Sequence, residues 1–441
     1  MRGDQMSSFD NRQVTGDTVS LFLSMKRIMI IGVSIGLLQL GLLSLVACNG
    51  PAGQTPAATG AASPTPPGET PATVVAPPSA PVTPRPAAAE ILAATPAPQI
   101  DATPTATPTD MPTPTPLPLG DAGRPIQLLF PPVAAGAVIA QRAEPLAEAL
   151  RAATGAEFAV GVVDSEAALV ELLCAAPEDV IGFVSAAAYT VAHDECDAQA
   201  GLVAVRDDGL TWQMGMLAIR PGGAAGLADL NGKRWAVADP HSLPNYLYFL
   251  AQMTAAGIKP GEVVNAPEET SALLSLLNEE ADFSTASYVP PIMPSGREWI
   301  VGETEPEEWR LLGIPPSRSP IGYVIVAGEP EFGGYRIRDA RARMFDTTPE
   351  IFNTTRILAL SEPIPNDTIV FGADFPPDIA RQTLATMAEF AASDACGMSI
   401  CSADLFGWTG LAPADDAAYD PIRTIKDTLE LEAADLYAEL D

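Results

Sequence analysis

The chain has 441 residues, with 24 basic side chains, 55 acidic ones and two histidines, giving a formal charge of −31 at pH 7. That excess excludes a nucleic-acid-binding surface, which needs clustered Lys and Arg against the phosphate backbone, and disfavours adhesion of the folded part to anionic lipid. At 47% hydrophobic and 18% charged, the chain is not an acidic disordered solvator either.

Residues 1–48 carry an address. Met25-Lys26-Arg27 precedes an uncharged apolar run over 28–47 that stops at Cys48. A short basic region, an apolar core and small residues before a cleavage point make a secretory signal. The alternative is a plain transmembrane anchor, since about twenty apolar residues just span a bilayer. Leu45-Val46-Ala47-Cys48 resembles the lipobox of bacterial lipoproteins, and this resemblance implies lipidation at Cys48 and an extracytoplasmic domain held to the membrane by lipid alone. Residues 1–24 have no signal character, which points to Met25 as the start of translation.

Residues 49–124 are a Pro/Thr/Ala-rich tether. Its first 72 residues hold 19 of the 44 prolines and no apolar period, so this stretch buries no core. The remaining 125–441 hold 18 basic and 47 acidic residues, so −29 of the charge sits on the folded part. Four cysteines lie there. In an oxidising compartment an even count suggests disulfides, Cys396 with Cys401 across a short loop and Cys174 with Cys196 as the residual pair. A metal site is the alternative, but no CxxC occurs and both histidines are elsewhere in sequence; no metal or cofactor is expected.

Strands and helices alternate from the start of the folded part. Strand 126–130, helix 138–155, strand 158–163, helix 166–175, strand 180–185, helix 186–195 and strand 202–206 imply a parallel-rich sheet flanked by helices. A second series opens at 214–221 and runs through strand 234–239, helix 243–257, strand 263–266, helix 270–281 and strand 283–289. Residues 290–320 are irregular. Strand 323–328, a helix around 339–354 and strand 356–360 follow, then a tail with strand 368–373 and helices 376–394 and 421–440. Two αβ series with a returning tail predict two lobes and a cleft between them, where small ligands bind.

Several stretches, in order, resemble the phosphate, phosphite and phosphonate-binding proteins of ABC importers. They are AEPLAEALRAATG (143–155), FVSAAAYTVA (183–192), LADLNGKRWAVADPHS (227–242), LLSLLNEEAD (273–282), SEPIPNDTIV (361–370) and GLAPADDAAYDPIR (410–423). The resemblance implies an α/β, two-lobed type II periplasmic-binding-protein fold. Lobe one would be 125–212 plus 362–441, and lobe two 213–361. It also implies a monomer that captures a small molecule and hands it to an ABC permease. The match is poorest over 290–355, which is longer than usual.

Family members hold an anionic head group with hydroxyls and backbone N–H groups at a helix N-terminus. The usual pattern there is D-P-x-S-T-S-G, and this chain has Asp239-Pro240-His241-Ser242-Leu243-Pro244-Asn245. Ser242 is kept, two hydroxyls are lost, and Pro244 removes a backbone donor. Ser242 also reads as the cap of the following helix. The family's histidine falls on Glu269, beside Thr270, and its acidic residue falls on Ser287. A carboxylate at 269 would repel a dianion and favour a cationic or hydroxyl-rich ligand; equally, it is a solvated first-turn acid. Tyr189 and Trp212 match two cleft aromatics, and His241 and Asn245 complete the candidate set. Asn366 and Asp367 read as hinge or turn residues.

No GxSxG, HExxH or P-loop pattern occurs, so no catalytic constellation is expected. An importer's solute-binding protein is the leading reading. An extracellular sensor or interaction module on the same fold is the alternative, and an enzyme ranks below both.

Overall fold

A computed structural model describes residues 117–207 and 209–437. The leader, Cys48 and the tether up to residue 116 lie outside the described residues. In chain order, β1 (Ile126–Phe130), α1 (Gly136–Thr154), β2 (Phe158–Val162), α2 (Glu166–Ala175), β3 (Val180–Val184), α3 (Ala186–Cys196) and β4 (Gln199–Val205) follow the expected alternation. Helix α1 stops where Gly155 turns left-handed at φ 73°, a conformation glycine adopts freely. Ser165 and Ser185 cap α2 and α3, each side-chain oxygen accepting a backbone N–H three residues on at 3.1 Å.

The second series comprises β5 (Trp212–Ile219), β6 (Trp235–Val237), α4 (Tyr248–Ala255), β7 (Val263–Asn265), α5 (Glu269–Leu277) and β8 (Phe283–Tyr288). The long 290–355 region carries β9 (Ser317–Arg318), β10 (Val324–Val326), β11 (Tyr335–Ile337), α6 (Ala340–Met344) and α7 (Ile351–Thr354). The chain then returns through β12 (Arg356–Leu360), β13 (Ile364–Pro365), β14 (Thr368–Phe371), α8 (Pro377–Ala391), β15 (Gly410–Pro413), α9 (Asp420–Leu429) and α10 (Ala433–Leu436).

These strands build two large mixed sheets and a small one. The first runs β15-β4-β14-β3-β1-β2, the second β12-β5-β8-β6-β7, and β9, β10 and β11 form a three-stranded antiparallel sheet. The first sheet is less parallel than the sequence implies. Only β1 with β2 and β1 with β3 are parallel; β14 returns from the tail and inserts antiparallel between β3 and β4. Stacked Phe130 and Phe183 (centroids 4.1 Å apart) and Phe406 and Trp408 (4.3 Å) fill its core.

Three expected helices differ. The segment 243–257 begins as a π-helical turn over Leu243–Leu247 before α4. The helix around 339–354 is two short ones, because Pro349 disfavours helical backbone at the residue before it. The helix over 421–440 breaks at Glu430, left-handed at φ 53°, and restarts where Asp435 accepts the Glu432 N–H at 2.9 Å. Cys174 is bonded to Cys196, tying the ends of α2 and α3 together, and Cys396 to Cys401 in the turn beyond α8. No helix among the described residues is long and apolar enough to cross a membrane.

Candidate functional site

The chain crosses between the two large sheets on adjacent strands. The crossings touch where β13 pairs antiparallel with the start of β5, Ile364 opposite Gln213 and Pro365 opposite Trp212. Asn366 pins them to the first sheet: its amide donates to the carbonyls of Ala204 and Leu210, both at 3.0 Å. Trp212 thus sits on the seam, its ring 6.4 Å from that of Trp299 in the long 290–355 region.

Two cavities open on this seam, and Trp212 lines both. One, of about 260 Å³, is bounded by Arg206, Gln213, Ser287, Tyr288 and Asp367. Its wall carries one basic side chain, Arg206, against two carboxylates, Asp207 and Asp367. Arg206 donates to Asp367 at 2.6 Å, and the Trp408 indole N–H donates to the same carboxylate at 2.9 Å. The other cavity, about 380 Å³, has Trp212, Tyr419 and four prolines in its wall, with Glu362 and Asp415 and no basic side chain.

Three of the sequence-nominated residues converge beside the smaller cavity, from three different elements. The Glu269 carboxylate, at the start of α5, accepts from the Asn245 amide at 2.9 Å, from the Ser287 backbone N–H at 3.1 Å, and from the Ser287 hydroxyl. Arg343 of α6 completes the set with an ion pair to the same carboxylate. Glu269 is therefore not the uncompensated charge that the sequence suggests. Its lone pairs already hold donors, and its charge already has a partner.

The turn that carries Asn245 lies flat on β5 because position 215 is glycine. A Cβ there would meet the Pro244 carbonyl oxygen at 2.0 Å and the Asn245 side-chain oxygen at 2.8 Å. Ser242 caps this turn, accepting from the Asn245 N–H at 3.3 Å.

The other nominated residues sit elsewhere. Tyr189 is 1% exposed and does not line the crevice; its hydroxyl donates to Asp416 at 2.6 Å and its ring packs edge-on against Tyr419. Burial and the Asp416 carboxylate push its phenol up. His241 is exposed beside Asp239, and Thr270 lies half-buried in the first turn of α5, outside the crevice lining. Among the described residues, no group of three or more His, Cys, Asp or Glu could hold a metal ion.

Sequence reasoning missed Glu166. This buried carboxylate takes the Ser185 backbone N–H at 2.8 Å and the Ser185 hydroxyl at 2.9 Å, so the N-terminus of α3 already holds an internal anion. Burial raises its pKa above the ordinary 4.5, against the Ser185 bonds, which lower it. A raised folded-state value means that its contribution is full below 4.5 and is lost as pH rises through that value. Glu166→Gln removes this titration. Urea unfolding at pH 4 and pH 7 should show the wild type losing stability relative to the variant as pH rises; the opposite trend would contradict the assignment.

Over residues 128–419 the chain matches the family described as ABC transporter, phosphonate, periplasmic substrate-binding protein. No curated protein matches it. Solved structures similar to it include a Xanthomonas citri protein bound to ATP, at 11% identity and TM-score 0.44, covering 69% of this chain and 97% of that one. A binding-protein component of an ABC phosphonate transporter from Pseudomonas aeruginosa matches at 15% and 0.36, covering 68% and 85%. PhnD1 from Prochlorococcus marinus in complex with methylphosphonate matches at 10% and 0.37, covering 69% and 98%. The family is one of transport binding proteins rather than enzymes, and its match spans both large sheets and the seam between them. The chain belongs to the phosphonate periplasmic substrate-binding proteins of ABC transporters.

Proposed function

We propose that this protein is a lipid-anchored, extracytoplasmic solute-binding protein, tethered through Cys48 and the Pro-rich spacer, that delivers a small polar solute to an ABC permease. The moving bodies are 125–212 with 362–441 and 213–361, hinged at the paired crossings. The ligand sits in the crevice beside Trp212, Ser287 and the Arg206–Asp367 pair. A solute that touches both bodies binds the closed form better than the open one, which is what closure requires.

The observation that carries this reading is the convergence of Asn245, Glu269 and Ser287, from three elements, beside the crevice at the seam. The same convergence supports a reading of the ligand class. Donors that would meet a dianion are spent on Glu269, and the crevice wall sets two carboxylates, Asp207 and Asp367, against Arg206, so a hydroxyl-rich or zwitterionic solute fits better than a phosphonate. A thermal-shift screen of sugars, polyols, amino-acid-like zwitterions, amines, phosphate and alkylphosphonates tests this. A compound from the first three groups should stabilise the protein most, and Trp212→Ala should weaken its binding about tenfold or more. Unchanged affinity in that variant would remove Trp212 from the site.

A further inference from the structure

Helix α4 and the turn before it bury two faces. Phe249 and Met253, one turn apart, join Trp235 and Phe283 in the core around the second sheet. Leu247 and Ala251, also one turn apart and 7% and 5% exposed, belong to a different core. They join Tyr189 of α3, Tyr419, and Ile422 and Ile425 of α9, and α4 packs against α9. Leu243 and Tyr246 lie against the same cluster. In the proposed two-body arrangement, 243–251 belongs to one moving body and α3 and α9 to the other. The bodies therefore share an apolar core in addition to the paired crossings. This core begins where Leu243-Pro244-Asn245 replaces the hydroxyl-and-glycine turn of the family pattern. Beside the crevice a polar contact also spans the bodies, Arg338 donating to the Asp207 carbonyl at 3.1 Å.

We propose that the α4–α9 contact is a latch that holds the protein closed in the absence of solute; the proposal rests on the two-body reading of its function. Opening returns Leu247, Ala251, Ile422 and Ile425 to water, and apolar surface gains nothing from water in exchange for the lost contact. Two hydroxyl-lined surfaces would instead trade each contact for a hydrogen bond to solvent. The crevice solute adds to a closure that the chain already favours, so its affinity is not lowered by a large open population. Release at the permease then requires separation of α4 from α9.

Double electron–electron resonance on the full-length protein tests this, with spin labels on ketone side chains introduced at exposed Glu148 and Ala256, one on each body. With no solute added, the distance should be single and match the separation in the structure. Leu247→Asp combined with Ala251→Asp should raise the open-to-closed ratio about 30-fold or more, seen as a second, longer population. Leu247→Ser should move it in the same direction by less, which keeps the test usable if the double variant folds poorly. Leu247→Met, which conserves volume and apolarity, should keep the single distance. A long or broad distribution in the unliganded wild type would overturn the latch while leaving two moving bodies in place. A single short distance in every folded variant would overturn both.

Discussion

Arg341→Met should cost about 3–5 kcal/mol of folding stability, the range for stripping one partner from a buried ion pair. The Arg341 side chain is fully buried. It donates to both oxygens of Asp339, at 3.0 and 2.8 Å, and to Glu307 at 2.6 Å. Glu307 in turn accepts from Arg310 at 2.5 Å and from the Ile357 backbone N–H at 3.1 Å, so the network fastens the long 290–355 region to β12. Removing the guanidinium leaves the Asp339 carboxylate buried and uncompensated.

Adding Asp339→Asn to Arg341→Met should recover a substantial part of the loss, because the orphaned charge goes while an asparagine can still cap α6. Urea denaturation of the three proteins checks both statements. The pH dependence has a sign as well. Burial alone would raise the Glu307 carboxyl, but Arg341 and Arg310 hold it below its usual range. The stability that this contributes is present above pH 4.5 and lost as pH falls, so the gap between wild type and Arg341→Met should narrow in acid.

Gly215→Ala should be the most damaging single-methyl change in the molecule for ligand binding. The new Cβ would stand 2.0 Å from the Pro244 carbonyl oxygen, which is backbone and cannot rotate away. The turn over 242–245 must lift, at a cost of about 1–3 kcal/mol in stability. Asn245 rides on that turn, so its bond to Glu269 stretches or breaks and the polar cluster beside the crevice comes apart. The affinity for the crevice solute should fall about tenfold or more, beyond what the stability loss explains, as calorimetry and thermal unfolding together can show. Gly136→Ala, at the start of α1 with only Val162 nearby at 3.9 Å, should be neutral or slightly stabilising.

Much of this was legible in the residues. Apolar runs and serine caps place β1 through α3 because local pattern and tertiary packing agree there. The reading fails where tertiary context decides. Nothing in Thr368–Phe371 says that the strand will insert between β3 and β4, since that position depends on a crossing far along the chain. The break at Glu430 follows no glycine or proline.

In the candidate site, alignment of the DPHS turn, of Glu269 and of Ser287 brought together three residues that do meet. What it could not supply was Arg343, which lies in the stretch without a family pattern and answers Glu269 from 74 positions away. Asp367 was visible in the PIPND stretch but read as turn chemistry; its bonds to Arg206 and Trp408 make it part of the crevice wall. Tyr189 shows the opposite failure, where a matching aromatic packs into the core because Asp416 and Tyr419 receive it.

Titration calorimetry of the full-length protein with methylphosphonate, beside the solute that stabilises it most, tests the central claim most directly. Losing two or more charge-assisted hydrogen bonds at Leu243 and Pro244 predicts that methylphosphonate binds at least about 100-fold more weakly than that solute. Replacing Leu243→Thr, Pro244→Ser and Glu269→His together should improve methylphosphonate binding. Tight methylphosphonate binding by the unaltered protein, abolished by Ser242→Ala, would contradict the account.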